Sequence, residues 1–134
     1  MIPTTSFTVR TARRVQTLDI SRQVREAIAR AGLLEGICVV FVPHTTAGVT
    51  VNENADPDVV ADTEATLTRL VPHDSRYRHA EGNSDSHVKT TLVGSSLTLI
   101  VHAGAPLLGT WQGVQLCEYD GPRNRTVHVK CLEG

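Results

Sequence analysis

Residues 37–42 read Ile-Cys-Val-Val-Phe-Val, an apolar run with no polar interruption. The run is too short for a comfortable helix and is rich in β-branched residues, so it reads as a central strand covered on both faces. Residues 97–101, Leu-Thr-Leu-Ile-Val, form a second core strand. A chain with two such strands must build a sheet and then cover it. Both strands run into a histidine at their exit. The first reaches His44 through Pro43, and the second reaches His102 directly.

The remaining pattern supplies the covering. Residues 6–10 and 15–18 alternate and predict strands. The period then changes. Asp19 and Ser21 are candidate N-caps, Val24, Ile28 and Ala31 share one helical face, and Gly32 is a C-cap residue, which predicts a helix over 20–31. A short strand is expected over 49–52. Asp56 then caps a second helix with Pro57 in its first turn; Val60, Leu67, Leu70 and Val71 are its expected buried stripe, and Pro72 ends it. Residues 114–119 and 126–132 alternate on either side of the turn Asp120-Gly121-Pro122-Arg123-Asn124-Arg125. The order β-β-α-β-β-α-loop-β-β-β predicts an α+β fold. It would be one domain over residues 1–134, with a mostly antiparallel, sandwich-like β core and two main helices.

Composition excludes several classes. The net charge of −1 gives no basic surplus for nucleic acid, and 4% aromatic residues offer few stacking platforms. The first six residues lack the apolar core of a signal peptide, and no apolar run approaches the roughly 20 residues of a membrane span. The expectation is a soluble cytoplasmic protein with neither a membrane nor a nucleic-acid partner. Cys38, Cys117 and Cys131 are widely spaced, form no CxxC, and lie in apolar β-like segments, so they read as reduced core thiols.

The unusual component is histidine, with six residues. Residues 72–96 form a long polar segment holding His73, His79 and His87, and loops of this length in small domains are commonly functional. The tail of this segment, from residue 86 to 93, suits a short helix. If the two core strands are neighbours, His44 and His102 arrive at one rim, where His79 and His87 could join them. Such a set suits a divalent ion, Zn²⁺ or Mg²⁺. No HExxH spacing supports it, and each imidazole taken singly has a structural explanation. His128 alternates with valines and reads as a solvent-face residue, and His73 follows a helix end.

Among the carboxylates, Asp56 is explained as a cap. Glu53 is free of any cap or ion-pair spacing and is a candidate base or orienting group. Asp85 can orient an imidazole, bind a hydroxyl, or serve as a turn residue. Thr45 and Thr46 offer hydroxyls, while Lys89, Arg123 and Arg125 offer cations, which together suit a phosphate or diphosphate. The two arginines also fit a solvated turn. No Walker or dinucleotide glycine motif is present.

Several blocks resemble the YjbQ-type family, often labelled secondary thiamine-phosphate synthase. They are His44-Thr45-Thr46-Ala47-Gly48 with Asn52-Glu53-Asn54 and Asp56-Pro57-Asp58-Val59, then His79 with Glu81-Gly82-Asn83 and Asp85-Ser86-His87-Val88-Lys89. Gly109-Thr110-Trp111-Gln112-Gly113 and Glu118-Tyr119-Asp120-Gly121-Pro122-Arg123 complete the series. The resemblance implies a compact α+β homotrimer with pockets at subunit interfaces and a His-rich site, often with a divalent metal, at His44, His79, His87 and His102. It also implies an activity that joins hydroxymethylpyrimidine diphosphate to a thiazole phosphate and releases diphosphate. On that reading Glu53, His87 and Asp85 are catalytic. Thr45, Thr46, Asn52, Lys89, Gln112, Arg123 and Arg125 bind substrate. Two other readings remain open: a metal-assisted hydrolase, and a non-catalytic trimeric protein that binds a small anion.

Overall fold

A computed structural model describes residues 1–74 and 76–134, and Ser75 lies outside it. In chain order the elements are β1 (Thr5–Arg10), β2 (Gln16–Asp19), α1 (Ser21–Ala31), β3 (Gly36–Phe41), β4 (Ala47–Glu53), α2 (Pro57–Leu70), α3 (Ser84–Val93), β5 (Ser96–His102), β6 (Ala105–Pro106), β7 (Gln112–Glu118) and β8 (Asn124–Glu133). The expected α+β class is observed. The strands form a five-stranded sheet in the order β1-β8-β3-β5-β6 and a three-stranded sheet in the order β2-β7-β4. Every pairing is antiparallel.

The core lies between the sheets and under α1. Val24, Ala27 and Ile28 of α1 are buried in one core cluster with Val40, Val42, Val101, Leu116 and Val127. Each valine, isoleucine or leucine among them contributes roughly 1.5–3 kcal/mol when fully buried. Gly32 closes α1 at φ +66°, a left-handed position that favours glycine.

Two expectations are corrected. First, β3 is covered on one face only. Cys38 and Val40 point inward, whereas Ile37 and Phe41 are 37% and 42% exposed. Ile37 pairs in register with Ile100 on β5 and with Leu132 on β8, so the three make an apolar stripe on the outside of the sheet.

Second, α2 buries none of its residues, and Leu70 of its expected stripe is 70% exposed. Asp56 does cap it, accepting from the Asp58 N–H at 2.9 Å. The helix stands off the three-stranded sheet, with a cavity between them. Val71, just past its end, is buried.

The short helix expected at the end of the polar segment forms as α3, beginning two residues earlier, at Ser84. It packs on β4 so closely that a Cβ on Gly48 would lie 2.6 Å from the Gly94 carbonyl oxygen. The glycine of the His-Thr-Thr-Ala-Gly block is therefore required for packing. It forms part of no anion cradle, because Ala47 and Gly48 pair with Glu118 and Cys117 in the sheet.

The antiparallel pairing of β3 with β5 matters most for function. Phe41 lies opposite Ser96, and Gly36 lies opposite Val101. His44 therefore leaves one end of the sheet and His102 the other. Six strand residues at about 3.3 Å each separate the two ends by roughly 20 Å.

Candidate functional site

The segment after β3, the loop before α3 and the β7–β8 turn meet in an open cleft. It is lined by Pro43, His44, Thr45, Thr46, Glu81, Asn83, His87, Asp120, Arg123 and Arg125. A second lobe adds Thr90, Thr91 and Ser95 beside the same two imidazoles.

The floor of the cleft is a buried ion pair. Arg125 donates from Nε to Glu118 Oε1 at 2.8 Å, and from Nη2 to Glu118 Oε2 and to the Thr46 hydroxyl and carbonyl oxygens. Glu118 is fully buried and also accepts from the Thr11 hydroxyl and the Asp120 N–H. Burial opposes its ionisation, but the bonds from Arg125, Asp120 and Thr11 prevail and hold the carboxyl below its usual range. Arg125 thus serves first as scaffold. Among the described residues its Nη1 alone has no hydrogen-bond partner.

His44 rests on this floor. The Thr126 N–H donates to its Nε2 at 2.9 Å. In the neutral ring the proton is thereby assigned to Nδ1. Burial lowers the pKa of His44, and the nearby Arg125 charge lowers it further. Both effects favour the neutral imidazole, the form in which Nδ1–H is the donor left for a ligand in the cleft.

α3 supplies His87. Its N-cap residue Asn83 donates to Asp120 Oδ2 at 2.8 Å, while the Asn83 Oδ1 is buried without a partner among the described residues. The His79 ring meets the His87 ring edge-on, with centroids 5.4 Å apart, and His79 Nε2 is 3.8 Å from Glu81 Oε1. Arg123 is 52% exposed and is steadied by Asp120, which accepts from its Nη2 at 3.0 Å.

Asp85 and Lys89 were expected among the reacting or substrate-binding groups. The structure draws them beneath α3. Asp85 is fully buried, accepts two bonds of 3.1 Å from Arg14, and lies 3.6 Å from Lys89 Nζ. Lys89 is 1% exposed, and its ammonium stands 5.7 Å from the centre of the Tyr119 ring. Burial lowers the pKa of Lys89, while Asp85 partly restores it. Ser86 donates to the Tyr119 carbonyl from the same turn. These bonds fix how α3 sits and hence where His87 points, and none of the buried groups lines the cleft.

The other expected residues are dispersed. Asn52 and Glu53 line the cavity under α2. Gln112 braces its own turn, its Oε1 accepting from the Gly109 N–H at 2.8 Å. His102 Nδ1 pairs with Glu35 at 3.0 Å at the far end of the sheet. His73 bonds the Gly82 carbonyl oxygen at 2.7 Å, and His128 bonds Ser6 and stacks on Phe41.

A divalent ion on His44, His79, His87 and His102 does not fit this arrangement. Among the described residues no group of three or more His, Cys, Asp or Glu side chains is placed to hold a metal. The Nε2 lone pair of His44 is already committed to Thr126. His102 stands at the wrong end of the sheet because β3 and β5 are antiparallel.

Residues 5–134 match the family model described as UPF0047 protein YjbQ-like. The chain belongs to the YjbQ family. It is 47% identical over 126 residues to a UPF0047 protein of Methanocaldococcus jannaschii, covering 94% of this chain and 91% of that one. It is 42% identical over 125 residues to YugU of Bacillus subtilis, covering 92% and 95%. A YjbQ/UPF0047 crystal structure from Clostridium acetobutylicum superimposes with a TM-score of 0.93 at 45% identity, covering 96% and 99%. A hypothetical protein from Aeropyrum pernix gives 0.94 at 39% identity, covering 99% and 100%. The antiparallel α+β architecture is thus the YjbQ-family fold.

Sequence reasoning missed Glu118, Asn83, Asp120 and Arg14. A signal for Glu118 existed, since it falls in phase with the inward Val114 and Leu116 of β7. A charge on a core-facing strand position implies a buried partner.

Proposed function

We propose that the His44–His87–Arg123 cleft binds a phosphorylated small molecule and assists departure of its phosphate or diphosphate group. The carrying observation is that two imidazoles and two guanidiniums line one open cleft. Arg123, the free Nη1 of Arg125 and the Nδ1–H of His44 are donors suited to charge developing on a leaving oxygen. His87 is the proton-handling group. The unpartnered Asn83 Oδ1 supports recognition of a ligand donor beside the anion. The specific reaction to assay is the one the family resemblance implies, union of hydroxymethylpyrimidine diphosphate with a thiazole phosphate. No step in this scheme passes through a metal.

The homotrimer belongs to the same reading. It is supported by the apolar stripe Ile37, Ile100 and Leu132, which is left open to solvent in one chain. Light scattering on the purified protein checks it. Cytoplasmic residence is supported by three free, buried thiols. No helix among the described residues is long and apolar enough to cross a membrane.

The test is titration with inorganic pyrophosphate, followed by product analysis with the two phosphorylated substrates. Arg123→Ala should weaken pyrophosphate binding roughly 10- to 100-fold, the worth of one charge-assisted hydrogen bond. His87→Ala should lower turnover while pyrophosphate still binds. Wild-type behaviour in both variants removes the proposal.

A further inference from the structure

The standoff of α2 from the three-stranded sheet leaves a cavity of ≈ 220 Å³. Its residues share none with the His44–His87 cleft. α2 contributes Val59, Val60, Leu67 and Glu64 as its roof. Thr17, Thr50, Gln115, Cys117 and Tyr119 form the floor, and Leu92 and Val93 of α3 close one side. An apolar cavity of about 150 Å³ holds one benzene, whereas drug-sized ligands need about 300 Å³ or more. This volume therefore admits a single ring with one substituent.

The charge of the lining selects the substituent. Two carboxylates, Glu53 and Glu64, line the cavity, and among the described residues no Lys, Arg or His does. A phosphorylated ligand would meet two like charges here, the reverse of the cleft on the other side of α3. Glu64 loses solvation beneath the helix, which raises its pKa, and the charge of Arg13, which does not line the cavity, offsets this only in part. No hydrogen bond from the described residues steadies its carboxyl. A half-buried carboxylate without a donor is costly unless a cation meets it. The absence of any buried residue on α2 has the same origin, because the helix rests over a space that its own side chains do not fill.

We infer that the cavity beneath α2 is a second ligand site, one that takes a small ring-bearing organic cation with Glu64 as its counter-charge. The ring lies between Leu67, Val60 and Val93, and the protonated nitrogen faces Glu64, with the threonine hydroxyls accepting its remaining hydrogens. The site needs nothing from His44, His87 or Arg123, so it stands or falls apart from the anion cleft.

The experiment is amide NMR of the full chain titrated separately with benzamidine, benzyl alcohol and benzoate: one cation, one neutral molecule and one anion of similar size. Benzamidine should shift the amides of Thr50, Thr63, Gln115 and Cys117 and leave those of His44, His87 and Arg123 in place. Benzyl alcohol should bind the same amides more weakly, and benzoate should not bind them. Glu64→Gln should cost benzamidine roughly tenfold in affinity, near 1.4 kcal/mol, with benzyl alcohol unaffected. Leu67→Trp, which fills the space, should abolish both. The inference is overturned if benzamidine leaves the cavity amides unmoved, if benzoate binds there as well as benzamidine, or if Glu64→Gln binds benzamidine like wild type. The ligand comparison on wild-type protein decides the matter even where a variant folds poorly. Pyrophosphate titration reports separately on the anion cleft.

Discussion

His44 and His102 follow two similar apolar strands, yet they live in different environments. His44 is partly buried, its Nε2 held by the Thr126 N–H above the Arg125–Glu118 pair. His102 has a side chain 62% exposed, and its partner Glu35 is 58% exposed. One imidazole is fixed in tautomer and position by backbone and buried charge. The other is held by a solvated pair, which contributes little to stability. The difference shows that a histidine becomes part of a site through what lies beneath it. The strand that delivers it is the smaller matter.

The contrast predicts where substitutions bite. The largest loss should come from Arg125→Ala, which strands Glu118 in the core beneath His44. Chemical denaturation should show about 3–5 kcal/mol less stability, the usual consequence of removing one partner from a buried pair. If the loss is below 1 kcal/mol, the floor beneath His44 is not held by this pair.

Asp85→Asn should come next, at about 3 kcal/mol, because Arg14 reaches solvent and Lys89 can shed its proton in place of a stranded charge. Its diagnostic is weakened turnover with near-normal pyrophosphate binding, since α3 would hold His87 less firmly while Arg123 is untouched. Normal turnover in a folded Asp85→Asn protein would remove the positioning role.

The His44 end should also be sensitive to pH. Folding lowers the pKa of His44 below the ordinary imidazole value of 6.5, so the unfolded chain takes up a proton first. The stabilising contribution is complete above pH 6.5 and is lost as pH falls through the depressed folded value. His44→Gln should flatten that part of the stability–pH curve. An unchanged slope would show that another group titrates there.

The smallest effect belongs to the other end. His102→Ala should alter stability by less than about 0.5–1 kcal/mol and leave pyrophosphate binding alone. A large loss of binding would mean that His102 reaches an anion cleft in the assembled protein.

Much of this molecule was written in local pattern. The alternation of residues 126–132, the face formed by Val24 and Ile28, and Asp56 before Pro57 each specify an element within a few residues, because side-chain period and capping are short-range. They gave the α+β class, and the block at His44 with His87 and Arg123 gave half of the cleft. Arg125 is legible in the same alternation. It is in phase with the buried Val127, Val129 and Cys131 of β8, and Glu118 is in phase with Leu116 of β7. The meeting of those two charges lay in the alternation, although their strands belong to different sheets.

Other features had no local signature. The direction in which β3 and β5 pair set His102 apart from His44, and two apolar strands read alike in either orientation. The course of β4, with Ala47 opposite Glu118 and Glu53 opposite Gln112, carried Asn52 and Glu53 away from the imidazoles, and the standoff of α2 left Leu70 in solvent. Docking of α3 onto β4 took Asp85 and Lys89 into the interior. Strand direction, helix height and the burial of a charge are settled by contacts between residues far apart in the chain, and only the assembled core fixes them.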